Sequence, residues 1–288
     1  MQYIYYYEQT KEGFSMKVKN INLQPGTLLA ELIGTFILTT VAITVANPII
    51  VGFTLLVLVL TLGSVSGAHL NPAISFGLWS VRKLEAIKLP FYWAMQLVGA
   101  LLALLLSQMY QGTNYGISFA SFNNLDAKIL IAELVGTAVF AFAFAAAWER
   151  KDINSAKALA VGLALLTGLA VGGGLLGQAA QAPATSTKEA GRITKIDGAV
   201  LNPAIAFAST ERADQQGSLQ SLTGQPQAAS STKRPASRLT WETVLGGLVG
   251  GAVGMNLFMV TAGINPLKRE SATKEAVVTR LFNKGKKK

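Results

Sequence analysis

The chain has 288 residues, of which 51% are hydrophobic and only 14% are charged; soluble domains average about 25% charged residues, so this composition indicates a membrane protein. It contains no cysteine and a single histidine, His69, which excludes disulfides and thiolate metal sites and leaves almost no material for histidine-based metal or catalytic centres. The net charge of +10 is placed in a way that fits a membrane surface better than nucleic acid, so we expect no nucleic-acid partner, no metal and no cofactor.

Six apolar segments are long enough to cross a hydrocarbon core of about 30 Å, at about 1.5 Å of helix per residue. They are predicted, in chain order, at Thr27–Ala46, Ile49–Val65, Leu89–Tyr110, Ala127–Trp148, Ala156–Leu176 and Trp241–Thr261. No cleavable signal peptide is expected in the polar and aromatic stretch before the first segment. Two polar stretches, 178–195 and 210–238, are predicted to be loops on the outer face, and the tail from Lys268 is basic.

A ten-residue stretch occurs twice, as GAHLNPAISF at Gly67–Phe76 and as GAVLNPAIAF at Gly198–Phe207, with eight identical positions. Asparagine is a favoured helix N-cap and proline suits the first helical position, so each copy predicts a helix start, at Asn71–Pro72 and at Asn202–Pro203. The first of these helices is predicted to end near Val81. A helix of that length spans about 15 Å, which is half a bilayer, so the chain enters the membrane and returns on the same side.

The two halves of the chain repeat each other, because AELIGTFIL at Ala30–Leu38 returns as AELVGTAVF at Ala132–Phe140. Each half has three spans and one half-helix, and an odd number of spans forces the halves into opposite orientations. We therefore predict an all-α membrane protein with six transmembrane helices and two re-entrant half-helices in an inverted repeat. It is expected to form a single domain over 1–288, with repeat one at about 27–125, repeat two at about 126–262, and polar tails 1–26 and 263–288.

The orientation follows from the lysines and arginines, most of which fall on the side that holds both termini. Cytoplasmic loops carry an excess of these residues, so both termini are predicted to be cytoplasmic in a multi-pass protein of the cell membrane.

The inversion brings the two half-helices in from opposite faces, so that their N-termini meet near the midplane. Irregular backbone at that depth is tolerated where it lines a cavity or is buried in protein, so the stretches before the half-helices are expected to present carbonyl groups along a pore. The two asparagine amides are expected to direct both N–H donors outward at its centre, and the positive helix ends oppose cations and protons. The carbonyl residues are Gly67, Ala68, His69 and Leu70 in the first half and Gly198, Ala199, Val200 and Leu201 in the second.

These motifs resemble those of the aquaporin and glycerol-facilitator family, the major intrinsic proteins. The resemblance rests on SGAHLNPA, the second GAVLNPA, both AEL-x-GT segments and Gln96 in the third span. It implies a passive channel for water and small uncharged solutes, usually a homotetramer in membrane lipid with one pore per subunit. Its pore motif corresponds here to Asn71, Pro72 and Ala73 and to Asn202, Pro203 and Ala204.

Glu31 and Glu133 are acids inside membrane spans, which makes them functional candidates by default. The first interpretation is proton carriage. The second, which the resemblance implies and the paired placement favours, is that each glutamate accepts N–H bonds from a re-entrant loop, with Gln96 as a further structural polar group. His69 has no partner ligands in the sequence and is expected to brace its loop rather than to bind a metal.

The chain departs from the family where the family has an arginine directly after the second Asn-Pro-Ala, because Ile205 stands there. By spacing from the motifs, the other selectivity-filter positions are Val51, Leu169 and Ala199, and all four residues are apolar. This filter predicts a wider or more apolar outer constriction, weaker exclusion of cations, and passage of solutes larger than water, such as glycerol.

Two other functions remain open. The inverted repeat also suits a proton-coupled secondary transporter, and an apolar filter could close a non-conducting structural membrane protein. An enzyme is disfavoured because no cluster of nucleophile, base and orienting group can be assembled in the spans.

Overall fold

Six long helices form the body of the molecule. The computed structural model describes residues 6–10, 13–17, 24–111, 125–150, 154–182, 192–211 and 236–265. Each long helix is apolar and long enough to cross a membrane. The first five are α1 (Pro25–Thr44), α2 (Pro48–Ser66), α4 (Leu89–Gln111), α5 (Ala127–Glu149) and α6 (Asn154–Gln181), and the sixth, α8, is Trp241–Thr261. The predicted spans are confirmed within about two residues, except that α6 continues five residues beyond Leu176.

Two short helices begin at the repeated motif. The first, α3, is Pro72–Ser80, and the second, α7, is Pro203–Ala208. Both start with proline at the first helical position, which has no need of an N–H donor. The predicted half-helices are therefore confirmed, and α7 is the shorter of the two.

A small β-hairpin near the N-terminus was not predicted. Strands β1 (Tyr6–Thr10) and β2 (Gly13–Lys17) pair antiparallel, with Tyr6 opposite Lys17 and Thr10 opposite Gly13. Alternation is hard to read in so short a segment, and a two-stranded hairpin alone is marginally stable in water.

The packing of the helices repeats between the halves. In the first half α1 packs on α2 and α4, and in the second half α5 packs on α6 and α8, while α2 and α6 join the halves. Each half-helix packs mainly on helices of the other half. The half-helix α3 packs on α8, and α7 packs on α4 and α1. Each re-entrant segment is therefore held by helices of the opposite repeat as well as its own, which places both half-helices at the centre of the molecule.

The glycines of α8 allow two close approaches at once. A Cβ on Gly250 would collide with the carbonyl of Leu134 in α5, and one on Gly254 would collide with the carbonyl of Ala138. On the neighbouring stripe, a Cβ on Gly251 would collide with the carbonyl of Ala73 in α3. Small residues let membrane helices approach closely, so these glycines bring both α5 and a half-helix against α8.

The distribution of polarity is that of a membrane protein. Large apolar side chains are exposed on the outside, for example Val260 at 76%, whereas Glu31 and Gln96 are fully buried inside. In a soluble protein this pattern would be reversed. The exposed apolar belt matches a lipid-facing surface.

The two long polar stretches return to the protein at their ends, which corrects part of the prediction for them. Residues 178–181 are the last turn of α6, and Ile193 is buried. Thr210 pairs with Ser237 in an isolated antiparallel bridge, so the ends of 210–238 are fastened together. The predicted exposed loops are therefore shorter, and their central parts lie outside the described residues.

Candidate functional site

Asn71 and Asn202 cap the two half-helices, as predicted. The Oδ1 of Asn71 accepts a hydrogen bond from the backbone N–H of Ala73 at 2.8 Å, and the Oδ1 of Asn202 accepts one from Ala204 at 3.0 Å. Each bond satisfies one of the N–H groups that a helix leaves without a partner at its start.

The two asparagine amides also tie the re-entrant segments to each other. The Nδ2 of Asn71 donates to the carbonyl oxygen of Leu201 at 2.9 Å, and the Nδ2 of Asn202 donates to the carbonyl oxygen of Leu70 at 2.9 Å. The expectation of two outward donors per amide was therefore wrong. One N–H of each amide binds the opposite segment, and the second has no hydrogen-bond partner among the described residues.

Leu70 and Leu201, which precede the asparagines, adopt left-handed backbone conformations with φ of 51° and 56°. This region is costly for residues other than glycine, so surrounding packing has to enforce it. Both side chains are buried against a glycine of the matching AEL-x-GT segment: a Cβ on Gly34 would collide with Leu70, and one on Gly136 would lie 2.7 Å from Leu201 Cδ2. The repeated glycine thus makes room for the leucine that turns each loop.

Glu31 holds the first loop. Its carboxylate accepts bonds from the backbone N–H groups of His69 at 3.0 Å and Leu70 at 2.8 Å. It also accepts from the Oγ of Ser66 and the Nε2 of Gln96, each at 2.7 Å. Four donors converge on one buried carboxylate, which is the geometry of a structural acceptor.

Glu133 holds the second loop in the same way but with a different side-chain partner. It accepts from the backbone N–H groups of Val200 at 3.0 Å and Leu201 at 2.8 Å. Where Glu31 meets the neutral amide of Gln96, Glu133 meets the guanidinium of Arg238, with Nη2 at 3.2 Å. The two halves therefore differ in charge at this point.

Arg238 is the site residue that sequence analysis missed. It lies in the segment just before α8 and is buried, and its Nη1 donates to the carbonyl oxygen of Gly198 at 2.7 Å. The available indication was weak, namely an arginine three residues before the sixth span. Nothing in either repeat motif points to it, because its partners are 40 and 105 residues away.

A second arginine binds two glutamates in the same part of the molecule. Arg192 donates to Glu211 at 3.1 Å and to Glu242 at 2.6 Å, and Glu242 also accepts from the backbone N–H of Asp126 at 2.7 Å. Burial lowers the pKa of Arg192, but its bonds to Glu242 and Glu211 outweigh that effect and raise the pKa above its usual value. Arg192 therefore stays charged, and its bond to Glu242 joins the starts of α5 and α8.

His69 lies in a polar and aromatic setting. Its Nδ1 is 3.2 Å from the Oγ of Ser75, and its ring lies 4.9 Å from the ring of Tyr92 and 5.6 Å from that of Trp148. Among the described residues no group of three or more metal-ligating side chains is present. These contacts give His69 the surroundings of a loop brace.

The four filter positions are divided between two apolar clusters. Val51 and Ile205 are 7% and 6% exposed and belong to the main cluster, against which Leu169 packs. Ala199 packs instead against the cluster that contains Ala132 and Leu176. The last three residues of the first loop, 68–70, are buried, whereas in the second loop 198–200 are half-buried and only Leu201 is buried, so the second loop is the more open.

The chain matches the family model described as Major intrinsic protein over residues 39–190. It is 28% identical over 167 residues to aquaporin Z of Photorhabdus laumondii, covering 48% of this chain and 72% of that protein. It is 31% identical over 140 residues to nodulin-26 of Glycine max, covering 48% of this chain and 51% of that protein. The match thus spans about half the length of nodulin-26.

Among solved structures, the chain is similar to the X-ray structure of the aquaglyceroporin from Plasmodium falciparum. The TM-score is 0.49 at 19% identity, and the match covers 81% of this chain and 94% of that chain.

Proposed function

Because the chain belongs to the major intrinsic protein family, which is a family of membrane channels, we propose that it is a passive channel for water and small uncharged solutes. The observation that carries the proposal is the reciprocal pair of bonds from Asn71 to Leu201 and from Asn202 to Leu70. This pair holds two capped helix starts face to face in the centre of a six-span bundle.

The centre of the path offers donors and a positive field. Each asparagine amide keeps one N–H for a passing oxygen, and each helix start contributes roughly half a positive charge. A water or hydroxyl oxygen can accept from these donors in turn, whereas a cation meets a field of the wrong sign.

The approach to the centre is lined by backbone carbonyls. In this proposal residues 67–70 lead in from one side and 198–201 from the other, held in place by Glu31 and Glu133. The carbonyls of Leu70, Gly198 and Leu201 already accept side-chain hydrogen bonds, so the others accept from the permeant, while apolar side chains form the opposite wall. A molecule then exchanges its hydration for a row of acceptors on one side only, which suits a small neutral solute.

Selectivity in this proposal comes from Val51, Leu169, Ala199 and Ile205. An apolar filter cannot replace lost hydration, so single-file water is disfavoured unless the gap is wide enough for waters to bond each other. Val51 and Ala199 are small, which favours the wider case and the passage of glycerol-sized solutes.

The protein is proposed to lie in the cell membrane with both termini cytoplasmic, on the strength of the lysine and arginine distribution. It is proposed to form homotetramers with one path per subunit, as the family resemblance implies.

A non-conducting protein is the second candidate. The observation in its favour is the low exposure of Val51 and Ile205 within one apolar cluster, since a hydrophobic constriction can close a path by dewetting. Proton coupling has less support, because both glutamates are occupied by the backbone of their loops.

Stopped-flow swelling of proteoliposomes, with water and glycerol compared against empty liposomes, tests the proposal. A channel gives flux of one or both that does not depend on a proton gradient. Flux at the level of empty liposomes would establish the non-conducting alternative, and flux that requires a proton gradient would establish the transporter.

A further inference from the structure

We propose that Arg238, which precedes α8, supplies the hydrogen-bond donors and the cationic group of the outer mouth, in place of any residue of the half-helix α7. The inference rests on the proposed channel function and names a residue that determines its selectivity. It follows from three observations, which concern where the backbone of Arg238 is fixed, what its guanidinium contacts, and how the two repeats differ.

The backbone of Arg238 is fixed to the outer end of α7. Its N–H donates to the carbonyl oxygen of Ser209 at 2.9 Å, directly after the half-helix ends at Ala208. Two residues earlier, the carbonyl oxygen of Ala236 accepts from the N–H of Glu211 at 2.8 Å. These bonds form the bridge that closes the long polar stretch, so Arg238 is held at a defined place although it belongs to a loop.

From that position the side chain reaches the other limb of the re-entrant segment. The Nη1 of Arg238 donates to the carbonyl oxygen of Gly198 at 2.7 Å. Gly198 is the first residue of the repeated stretch and therefore the outermost of the four proposed carbonyl positions. The guanidinium thus lies over the outer end of that row, between the descending limb and the end of α7.

Glu133 orients the guanidinium. The carboxylate that binds Val200 and Leu201 also accepts from Nη2 of Arg238, so one acid positions both the loop and the cation. A guanidinium carries five N–H donors, and two are bonded to described residues, which leaves up to three for a permeant hydroxyl.

The contrast between the repeats shows that loop anchoring does not require a cation. Glu31 anchors the first loop equally well with Gln96 and Ser66 as its side-chain partners. The guanidinium is an addition in the second half, where residues 198–200 are half-buried. It also stands in the half in which Ile205 offers neither a charge nor a donor.

The charged groups around Arg238 determine whether its removal should raise or lower the cation leak. Glu133, Glu211 and Asp197 interact attractively with Arg238, and Arg192 interacts repulsively. Replacing Arg238 with methionine would leave the Glu133 carboxylate without its cation beside the outer carbonyl row. The mouth would then attract cations and would lose its donors.

The test uses the full chain in proteoliposomes and measures water flux, glycerol flux and proton leak. For Arg238→Met we expect a proton leak about tenfold above wild type, the lower end of what fixed charge in a cleft does to local ion concentration. We also expect an altered ratio of glycerol to water flux. The double variant Glu133→Gln/Arg238→Met removes both charges, so its leak should fall between wild type and Arg238→Met. Because this double variant leaves no unpaired acid, it remains testable even if Arg238→Met alone fails to fold.

Rescue separates a role in selectivity from a role in structure. Adding Ile205→Arg to Arg238→Met returns a guanidinium to the mouth from the half-helix and should bring the leak back toward wild type. Arg192→Met is the matched control, because it removes an arginine from the same face whose bonds go to Glu211 and Glu242. It should leave the leak and the flux ratio within about twofold of wild type, since its charge does not lie over the carbonyl row.

The contrary outcomes are distinct. If the wild type conducts and Arg238→Met has the same proton leak and the same ratio of glycerol to water flux, this inference alone is refuted. If Ile205→Arg does not reduce the proton leak of Arg238→Met, or if Arg192→Met shows the same leak, the proposed role in selectivity is refuted and Arg238 has a structural role. A wild type without flux above empty liposomes would refute the proposed channel and this inference together.

Discussion

At the scale of single residues, the site depends on side chains that perform two tasks with different atoms. Asn71 uses its amide oxygen to cap its own helix and its amide nitrogen to bind the opposite loop, and Asn202 does the same in reverse. An aspartate can perform only the first task, because a carboxylate accepts and does not donate.

Asn71→Asp and Asn202→Asp should therefore fold with intact caps but lose the cross-bond. A carboxylate oxygen would then face the carbonyl of Leu201 or Leu70, at a cost of about 1–3 kcal/mol for the unpaired buried groups. We expect lower solute flux, a measurable cation conductance, and a lower thermal unfolding temperature in detergent.

Asn47→Asp is the matched control for this prediction. Asn47 caps α2 in the same manner, accepting from Ile49 at 2.9 Å, but it is exposed and far from the centre. It should keep wild-type flux and conductance. Wild-type flux and conductance in both central variants would contradict the assignment of these residues to the path.

At the scale of elements, α8 is the helix with the tightest constraints. Its two glycine stripes face α5 and the half-helix α3, so neither contact tolerates a larger residue without moving a helix. The matching glycines of the first half are fewer, and Gly99 of α4 performs this task against the backbone of Leu32 in α1. The two halves of the inverted repeat therefore share one arrangement of helices but differ in how closely those helices pack.

Gly250→Ala should destabilise the protein, because its Cβ would collide with the carbonyl of Leu134, and overpacking of a tight contact costs about 1–3 kcal/mol. Gly174→Ala is the control, since no atom lies within 4 Å of a Cβ there. We expect a lower unfolding temperature in detergent for Gly250→Ala alone. Equal unfolding temperatures would mean that α5 and α8 are not in such close contact.

At the scale of the whole molecule, ion pairs and a backbone bridge stabilise the face at which the described ends of the two polar stretches lie. Arg192 and Arg238 are both bonded into this face, while Lys188, Arg212 and Lys233 lie in the parts of the polar stretches outside the described residues. The proposed topology places all of these on the outside and Arg150 on the inside.

Trypsin added to intact cells should therefore cleave at Lys188, Arg212 or Lys233 and spare both Arg192 and Arg238. Buried, bonded residues are poor protease sites, whereas exposed polar stretches are preferred. Fragment masses measure the outcome, and inside-out vesicles provide the control, in which Arg150 should become available. Cleavage at Arg150 in intact cells would reverse the topology.

Much of this architecture was predictable from the sequence because it depends on local rules. Length and hydropathy determine the six spans, and asparagine followed by proline determines where each half-helix begins. An odd number of spans per repeat determines the inversion. An acceptor role for the paired glutamates could be predicted because each repeat carries the same acid at the same place, and both accept backbone N–H bonds from their loops.

Tertiary structure alone decided which distant groups meet. The amide of Asn71 donates to a carbonyl 130 residues away in sequence, and the guanidinium of Arg238 binds Glu133, which is 105 residues away in sequence. No periodicity or motif encodes such pairs, because they depend on how the two halves close on each other and on a bridge that brings residue 237 back to residue 210. The sequence by itself therefore determined the spans, the caps and the inverted repeat, whereas the position of Arg238 beside Glu133 and Gly198 followed only from the closed fold.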